Sequence, residues 1–267
     1  MKLKKIGPTV IAAALALACF GCSSGGGEKE AASENAKPAA TQKEEKVEEK
    51  ADPDAEALAA GKTVKYIDQY YANLKDAIDR ANQNGGGTVT LLADTVDTES
   101  GESPTIGFRT SIIIKSAGDK PFKVFRADGQ TNEMLRITDG TITLRNIVFD
   151  GAGAGVTSPV VMISNLARVT FDSGVEVTNN VTDGTGYAEN FGASAVSVSG
   201  ADAYLTLESG CTFSQCSASG AAVAALYNDG ANVVNNGAVF SGNVSANGGN
   251  PNYAGTGTFE GAEIEAA

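Results

Sequence analysis

The sequence predicts an all-β solenoid, a coil of short strands stacked turn on turn and entered through one capping helix. Three observations carry this. Between Thr88 and about Asn247, short alternating apolar runs are separated by Gly, Asn and Asp, the pattern of strands joined by tight bends. The runs repeat every few tens of residues, which marks a stacked-repeat architecture. Ahead of them, one segment places its apolar residues at helical spacing.

Four repeat segments align: Leu144–Phe149, Phe171–Val177, Leu207–Phe213 and Val234–Phe240. Their last residues are 28, 36 and 27 positions apart. In each, a large apolar residue precedes a polar Gly/Asn bend, and a strand with two inward side chains follows. A further short strand lies ahead of each unit: Leu135–Ile137, Val161–Ile163, Val196–Val198 and Ala224–Leu226. Each repeat therefore holds about three strands. Alternation puts Phe149, Val177, Phe213 and Phe240 in one inward column, with Val148, Glu176, Thr212 and Val239 facing outward. In this alignment Asn232 stands where Val169 and Leu205 stand in their turns, a sign of a weakening coil end.

The arrangement resembles the right-handed parallel β-helix of the pectate-lyase-like superfamily, where each turn gives one strand to each of three sheets. The resemblance implies inward asparagines at the bends, and Asn180 and Asn243 fall three residues after Val177 and Phe240. Cys216 holds the equivalent place after Phe213, so it and Cys211 read as core residues, although a disulfide between them is geometrically open. The open ends of such a coil need covers. Leu74, Ala77, Ile78 and Ala81 form the apolar stripe of an N-terminal capping helix, stopped by Gly85-Gly86-Gly87 before a first strand from Thr88 to Leu92. The tail beyond Asn247 offers at most a last partial strand.

The ends place the protein at a membrane. Lys2, Lys4 and Lys5 precede an apolar run from Val10 to Ala18, too short to span a bilayer and typical of an export signal. The run leads into Leu17-Ala18-Cys19-Phe20-Gly21-Cys22-Ser23-Ser24, which resembles the lipobox of bacterial lipoproteins. The resemblance implies cleavage before a lipidated cysteine, Cys22 being favoured and Cys19 the rival, and extracytoplasmic anchoring to the cell membrane. The expected organisation is a signal peptide at 1–21, a charged tether at 22–61 that is disordered or partly helical, and the coil at 62–267.

Composition narrows the function. The net charge of −12 becomes −15 once the three leader lysines are removed. Such a surface repels phosphate backbones, so nucleic acid is an unsuitable partner. The chain has no histidine, and no Ser-x-x-Lys run supplies a serine with a base. The superfamily resemblance implies polysaccharide lyases and hydrolases, but the Asn-Thr-Asp run, Asp-Asp pair and histidine of the hydrolases are missing. A lyase needs a basic residue near calcium-holding carboxylates. Arg136, Arg145 and Arg168 with Asp150 and Asp172 are candidates, and they read more simply as solvated charges. No catalytic residue is assigned.

The remaining expectation is a non-catalytic, lipid-anchored surface module binding a glycan or a surface protein, in the manner of an adhesin. A polysaccharide lyase or hydrolase is one alternative, and a spacer or assembly subunit is another. The interval from Val177 to Phe213 exceeds its neighbours by eight or nine residues, and solenoid insertions project from one face. The inserted loop gathers Asp183, Tyr187, Glu189 and Phe191, aromatic and carboxylate groups suited to a sugar. No cofactor is expected, although the carboxylates leave room for calcium. The metal question stays open.

Overall fold

The computed structural model describes residues 52–153, 155–182, 193–219, 223–246 and 248–265. From Gly86 onward the chain winds through about six turns of a parallel β-helix. The first sheet stacks Gly86–Leu91, Ser111–Ser116, Thr141–Arg145, Arg168–Phe171, Tyr204–Leu207, Asn232–Asn235 and a closing Thr258–Gly261. The second stacks Thr95–Val96, Phe122–Phe125, Ile147–Asp150, Val175–Thr178, Thr212–Ser214 and Val239–Ser241. The third stacks Thr105–Ile106, Leu135–Ile137, Val161–Ser164, Val196–Ser199, Leu226–Asp229 and Tyr253–Gly255. Every strand pairs in parallel with the strand one turn away, so the coil itself satisfies the backbone.

A fourth sheet was not foreseen. From the third turn on, two-residue strands at Gly155–Val156, Val181–Thr182, Ser217–Ala218 and Val244–Ser245 line the path from the second sheet to the third. Two residues are too few to show an alternating pattern, so the sequence reads there as a bend.

The inward column is the expected one: Phe149 pairs with Val177, Val177 with Phe213, and Phe213 with Phe240. Glu176, Thr212 and Val239 share the outward row, Val239 more than half exposed. Val148 belongs to that row by register but is only 6% exposed. In the first sheet, Ile112, Ile142, Val169, Leu205 and Val233 form a second inward column. The outward row beside it runs Thr143, Thr170, Thr206, β-branched and polar as a solvated strand face requires.

The sixth turn corrects the alignment. Asn232 pairs with Tyr204 and not with Leu205, whose partner is Val233, and the inward place opposite Leu207 belongs to Asn235 rather than Val234. The bend from Asn235 to Phe240 is one residue shorter than the bend from Leu207 to Phe213, so counting back from Phe240 shifts the strand by one. Asn235 is buried because its side chain is fully used. Its Oδ1 accepts from the N–H groups of Gly237 and Ala238 at 3.2 and 2.9 Å, and its Nδ2 donates to the Ala262 carbonyl at 2.9 Å.

The helix Leu74–Gln83 buries Leu74, Ala77, Ile78 and Ala81, as its spacing predicts, and Asn73 caps it by accepting from Asp76 N–H. An antiparallel pair, Val64–Tyr66 with Gln69–Tyr71, extends the first sheet past the first turn. The strand begins at Gly86 rather than Thr88. A Cβ on Gly86 would meet the Ser111 carbonyl oxygen at 2.1 Å, so glycine there admits the next turn as well as ending the helix. The folded unit also reaches into the expected tether: a helix at Pro53–Ala59 sits against the pair through Asp54, which accepts from Lys65 Nζ and Tyr70 OH, both at 2.7 Å.

Candidate functional site

Asp183, Tyr187, Glu189 and Phe191 lie outside the described residues, as do Cys19 and Cys22. The loop's flanks are placed: Thr182 closes a strand of the fourth sheet, and Ala193 bridges to Val223 ahead of the third. Of the other residues singled out in the sequence, Arg145 and Asp172 meet, while Arg136, Arg168 and Asp150 each have other partners. Arg145 donates to Asp172 at the bend between the first and second sheets. Asp172 lies below the usual carboxylate value because the Ser173 N–H and Arg145 stabilise its charge. Asp150 faces Lys123 and Asn179, and Arg136 bonds Glu133. No base stands over paired carboxylates among these five.

Cys211 and Cys216 are both free thiols in the core. Burial pushes each thiol up to about 12, which leaves both unreactive at neutral pH. Cys216 shares the bend position of Asn180 and Asn243, as its neighbours' pairing places it. Asn243 Oδ1 accepts from Cys216 N–H and Asn180 Nδ2 donates to the Ser194 carbonyl, the backbone-satisfying role expected of these asparagines.

The first turns have no fourth-sheet strand, and buried polar groups fill the gap. The Arg126 guanidinium, pushed down to about 10 by burial, donates to Asn180 Oδ1 at 3.0 Å and to the Asn132 carbonyl. A Cβ on Gly151 would strike Asn180 Oδ1 at 2.4 Å, so the glycine makes room for this contact.

The open surface feature is a groove at the corner where the third sheet hands over to the first. Corner length shapes it. Four residues separate Ile106 from Ser111 and Ile163 from Arg168, while only three separate Ile137 from Thr141. The short middle corner, Thr138-Asp139-Gly140, is recessed between longer ones carrying Phe108 and Leu166. These flanks are two turns apart, roughly 10 Å at the ordinary strand spacing. Phe108 is 92% exposed and Leu166 49%. The helix closes one end with Asp79, Asn82 and Gln83, giving a recess of about 740 Å³.

Phe108 is held there against conformational preference. It and Arg109 are consecutive left-handed residues, with φ of 61° and 57°, an uncommon state for a bulky side chain. The corner is pinned on both sides. Thr110, buried, donates its hydroxyl to the Gly107 carbonyl at 3.0 Å, and Thr141 N–H donates to the Thr110 carbonyl at 2.9 Å. Asn82 Nδ2 donates to the Thr105 carbonyl at 2.7 Å, while its buried Oδ1 has no described partner. Lys75 pairs with Asp79 at 2.6 Å and faces Glu102 at 3.6 Å, which partly neutralises the carboxylates at the helix end.

The groove continues past Asp139 and Leu166 to Arg109, Arg168 and Asp202. Arg168 lies over the Tyr204 ring, 4.2 Å from its centroid. Among the described residues, no group of three or more His, Cys, Asp or Glu side chains is placed to hold a metal ion. The site thus offers an exposed ring, apolar flanks, carboxylates, amides and guanidinium groups along one line. No family model, curated protein or solved structure matches the chain.

Proposed function

We propose that this protein is a non-catalytic, lipid-anchored surface module that holds a carbohydrate chain in the corner groove. One observation carries the reading: Phe108, an almost fully exposed ring fixed on a strained left-handed corner beside carboxylates and amides. Strain of this kind persists where the surrounding structure holds it and is concentrated at functional sites. A fixed aromatic face stacks on the apolar face of a sugar ring, and Asp139, Asn165 and Gln83 are suited to its hydroxyls. The groove runs along the coil axis, so successive turns meet successive sugars of an extended chain. The basic leader and the Cys22 lipobox support placement of the coil outside the membrane as a lipoprotein, and the solenoid supports kinship with pectate-lyase-like β-helices.

The test is binding of the full protein, in detergent micelles, to immobilised oligosaccharides. Phe108→Ala is expected to weaken binding about tenfold, the scale of one aromatic stacking contact, at unchanged folding. Binding that survives Phe108→Ala but is lost in the Asp183→Ala, Tyr187→Ala double variant would move the site to the inserted loop. The anchor is tested separately: Cys22→Ala should release the protein from membranes or leave it uncut, and Cys19→Ala should do neither.

A further inference from the structure

We propose that the last turn of the coil is a docking edge, where the strand Val239–Ser241 accepts an extended, lysine- or arginine-rich segment of a protein partner. None of the residues lining the corner groove belongs to this edge, and the proposal does not depend on what the groove holds.

The two ends of the coil are finished differently. At the first turn each of the three main sheets has its edge occupied. The antiparallel pair Val64–Tyr66 and Gln69–Tyr71 extends the first. Asn73 bridges to Val96 beside the second, where Lys75 N–H also donates to the Asp97 carbonyl at 2.9 Å. Asn82 Nδ2 covers the Thr105 carbonyl of the third. At the last turn, Asn250 and Asn252 donate through Nδ2 to the Ile264 and Glu265 carbonyls at 3.0 and 2.6 Å, which holds the segment after Gly261 toward the third sheet. The second sheet is left open. Val239 N–H donates back to the Cys211 carbonyl at 2.8 Å, and the Ser241 carbonyl accepts from Gln215 N–H at 3.1 Å. Alternation along a parallel ladder turns the N–H and C=O of Phe240 the other way, and among the described residues no further strand meets them.

The side chains repeat the pattern. Phe149, Val177 and Phe213 are fully buried, whereas Phe240, last in the same column, is half-buried and stacks on Phe213. Val239 and Val244 are 53% and 60% exposed on the same turn. An unpaired strand edge flanked by exposed β-branched residues is a template for strand addition. An added strand continues the column by laying an apolar side chain on Phe240.

Charge decides the partner. The chain has no lysine or arginine after Arg168, while ten aspartates and glutamates follow it. Glu176 shares the outward row of Thr212 and Val239, and Glu208 accepts from Asn236 Nδ2 at 3.1 Å. Glu263 and Glu265 lie in the closing segment. A second copy would bring the same carboxylates to the edge, and facing like charges disfavour that pairing. A basic segment meets them with opposite charge. Strand alternation sets its pattern: apolar side chains inward toward Phe240, lysine or arginine outward between them.

The experiment measures binding of three labelled heptapeptides to the full protein in nonionic micelles at low salt. The first is Lys-Val-Lys-Val-Lys-Val-Lys. The second replaces each valine by proline, which keeps the charge and removes the strand donors. The third replaces each lysine by glutamate. The first is expected to bind saturably and the other two not. Val239→Lys should weaken the first peptide about tenfold by like-charge contact at the edge, and Val239→Thr should leave it unchanged. Both variants should keep the parent thermal midpoint, since the side chain is more than half exposed. Equal binding of the proline peptide would overturn strand addition, and equal binding of the glutamate peptide would overturn the basic partner. Binding that is indifferent to Val239→Lys would remove the edge from consideration. A concentration-dependent dimer lost in Val239→Lys, with no peptide bound, would overturn the proposal by giving the edge to a second copy. Binding of no peptide and no dimer would overturn it outright.

Discussion

Phe213 stacks on Phe240 one turn away, ring centroids 4.8 Å apart and planes 5° from parallel. The spacing is that of the coil itself, so the two rings repeat the backbone ladder on its inner side. On the other side, Phe171 lies 6.2 Å from Phe213 and is also near-parallel. Phe213 is thus enclosed by aromatic rings from two sheets. Phe213→Ala should cost about 3–5 kcal/mol, as loss of a buried phenyl ring does. Thr212→Ala, one residue away on the outward face, should stay within about 0.5 kcal/mol. Denaturant midpoints of the two variants measure the difference, and equal losses would mean the faces are exchanged.

Asn235 and Asn232 differ in the same way three residues apart. Asn235→Ala leaves two N–H groups and the Ala262 carbonyl without their partner inside the last turn, a loss of about 2–3 kcal/mol. Asn232 is half-exposed and donates to the Ala201 carbonyl at 2.8 Å, so Asn232→Ala should cost about 1 kcal/mol or less. The reverse ranking would restore the alignment with Val234 facing inward.

These positions show what was legible in the sequence. The column through Phe149, Val177, Phe213 and Phe240 is readable because each residue ends a polar bend and the strands alternate after it. The Asn180, Cys216 and Asn243 position follows at a constant offset from that column. Asn235 is not readable, because a single-residue change in bend length moves an asparagine into a row otherwise filled by Leu144, Phe171 and Leu207. The groove is less readable still. It depends on the difference between three- and four-residue corners and on the helix residues Asp79, Asn82 and Gln83 closing its end. One signal was available: Phe108 lies between the core residues Ile106 and Ile112, outside the alternation and beside Gly107 and Arg109, where a large apolar residue has no inward place.

The thiols make stability depend on alkaline pH. Both are raised in the fold from an ordinary 9.0 to about 12. Below 9.0 both states hold the proton and the contribution is fully present. Between 9.0 and about 12 the unfolded chain loses protons that the folded coil retains, so stability falls as pH rises through this window. The slope is at most about 1.4 kcal/mol per pH unit for each thiol. Cys216→Ala should flatten the decline between pH 9 and 11 relative to the parent protein. Neither cysteine should react with a thiol reagent at pH 8 without denaturant. An unchanged slope in the variant, or rapid labelling of the native protein, would contradict the burial.

Phe108 allows stability and binding to be separated in opposite directions. The residue buries almost nothing at 92% exposure, so its removal forfeits little hydrophobic stabilisation. Its φ of 61° is costly for a side chain with a Cβ and free for glycine. Against this stands the greater freedom of glycine in the unfolded chain. Relief of the left-handed strain exceeds that term, so Phe108→Gly should raise stability by about 0.5–1 kcal/mol. The corner survives the change, because Thr110 and Gly107 hold it through backbone and hydroxyl contacts that do not involve the ring. Glycan binding should fall as in Phe108→Ala, since both variants lack the stacking face. A residue kept for stability would give the opposite sign in unfolding experiments, while one kept for recognition gives a firmer but weaker-binding coil. Thermal or denaturant unfolding beside oligosaccharide binding, on the same two variants, decides between these roles.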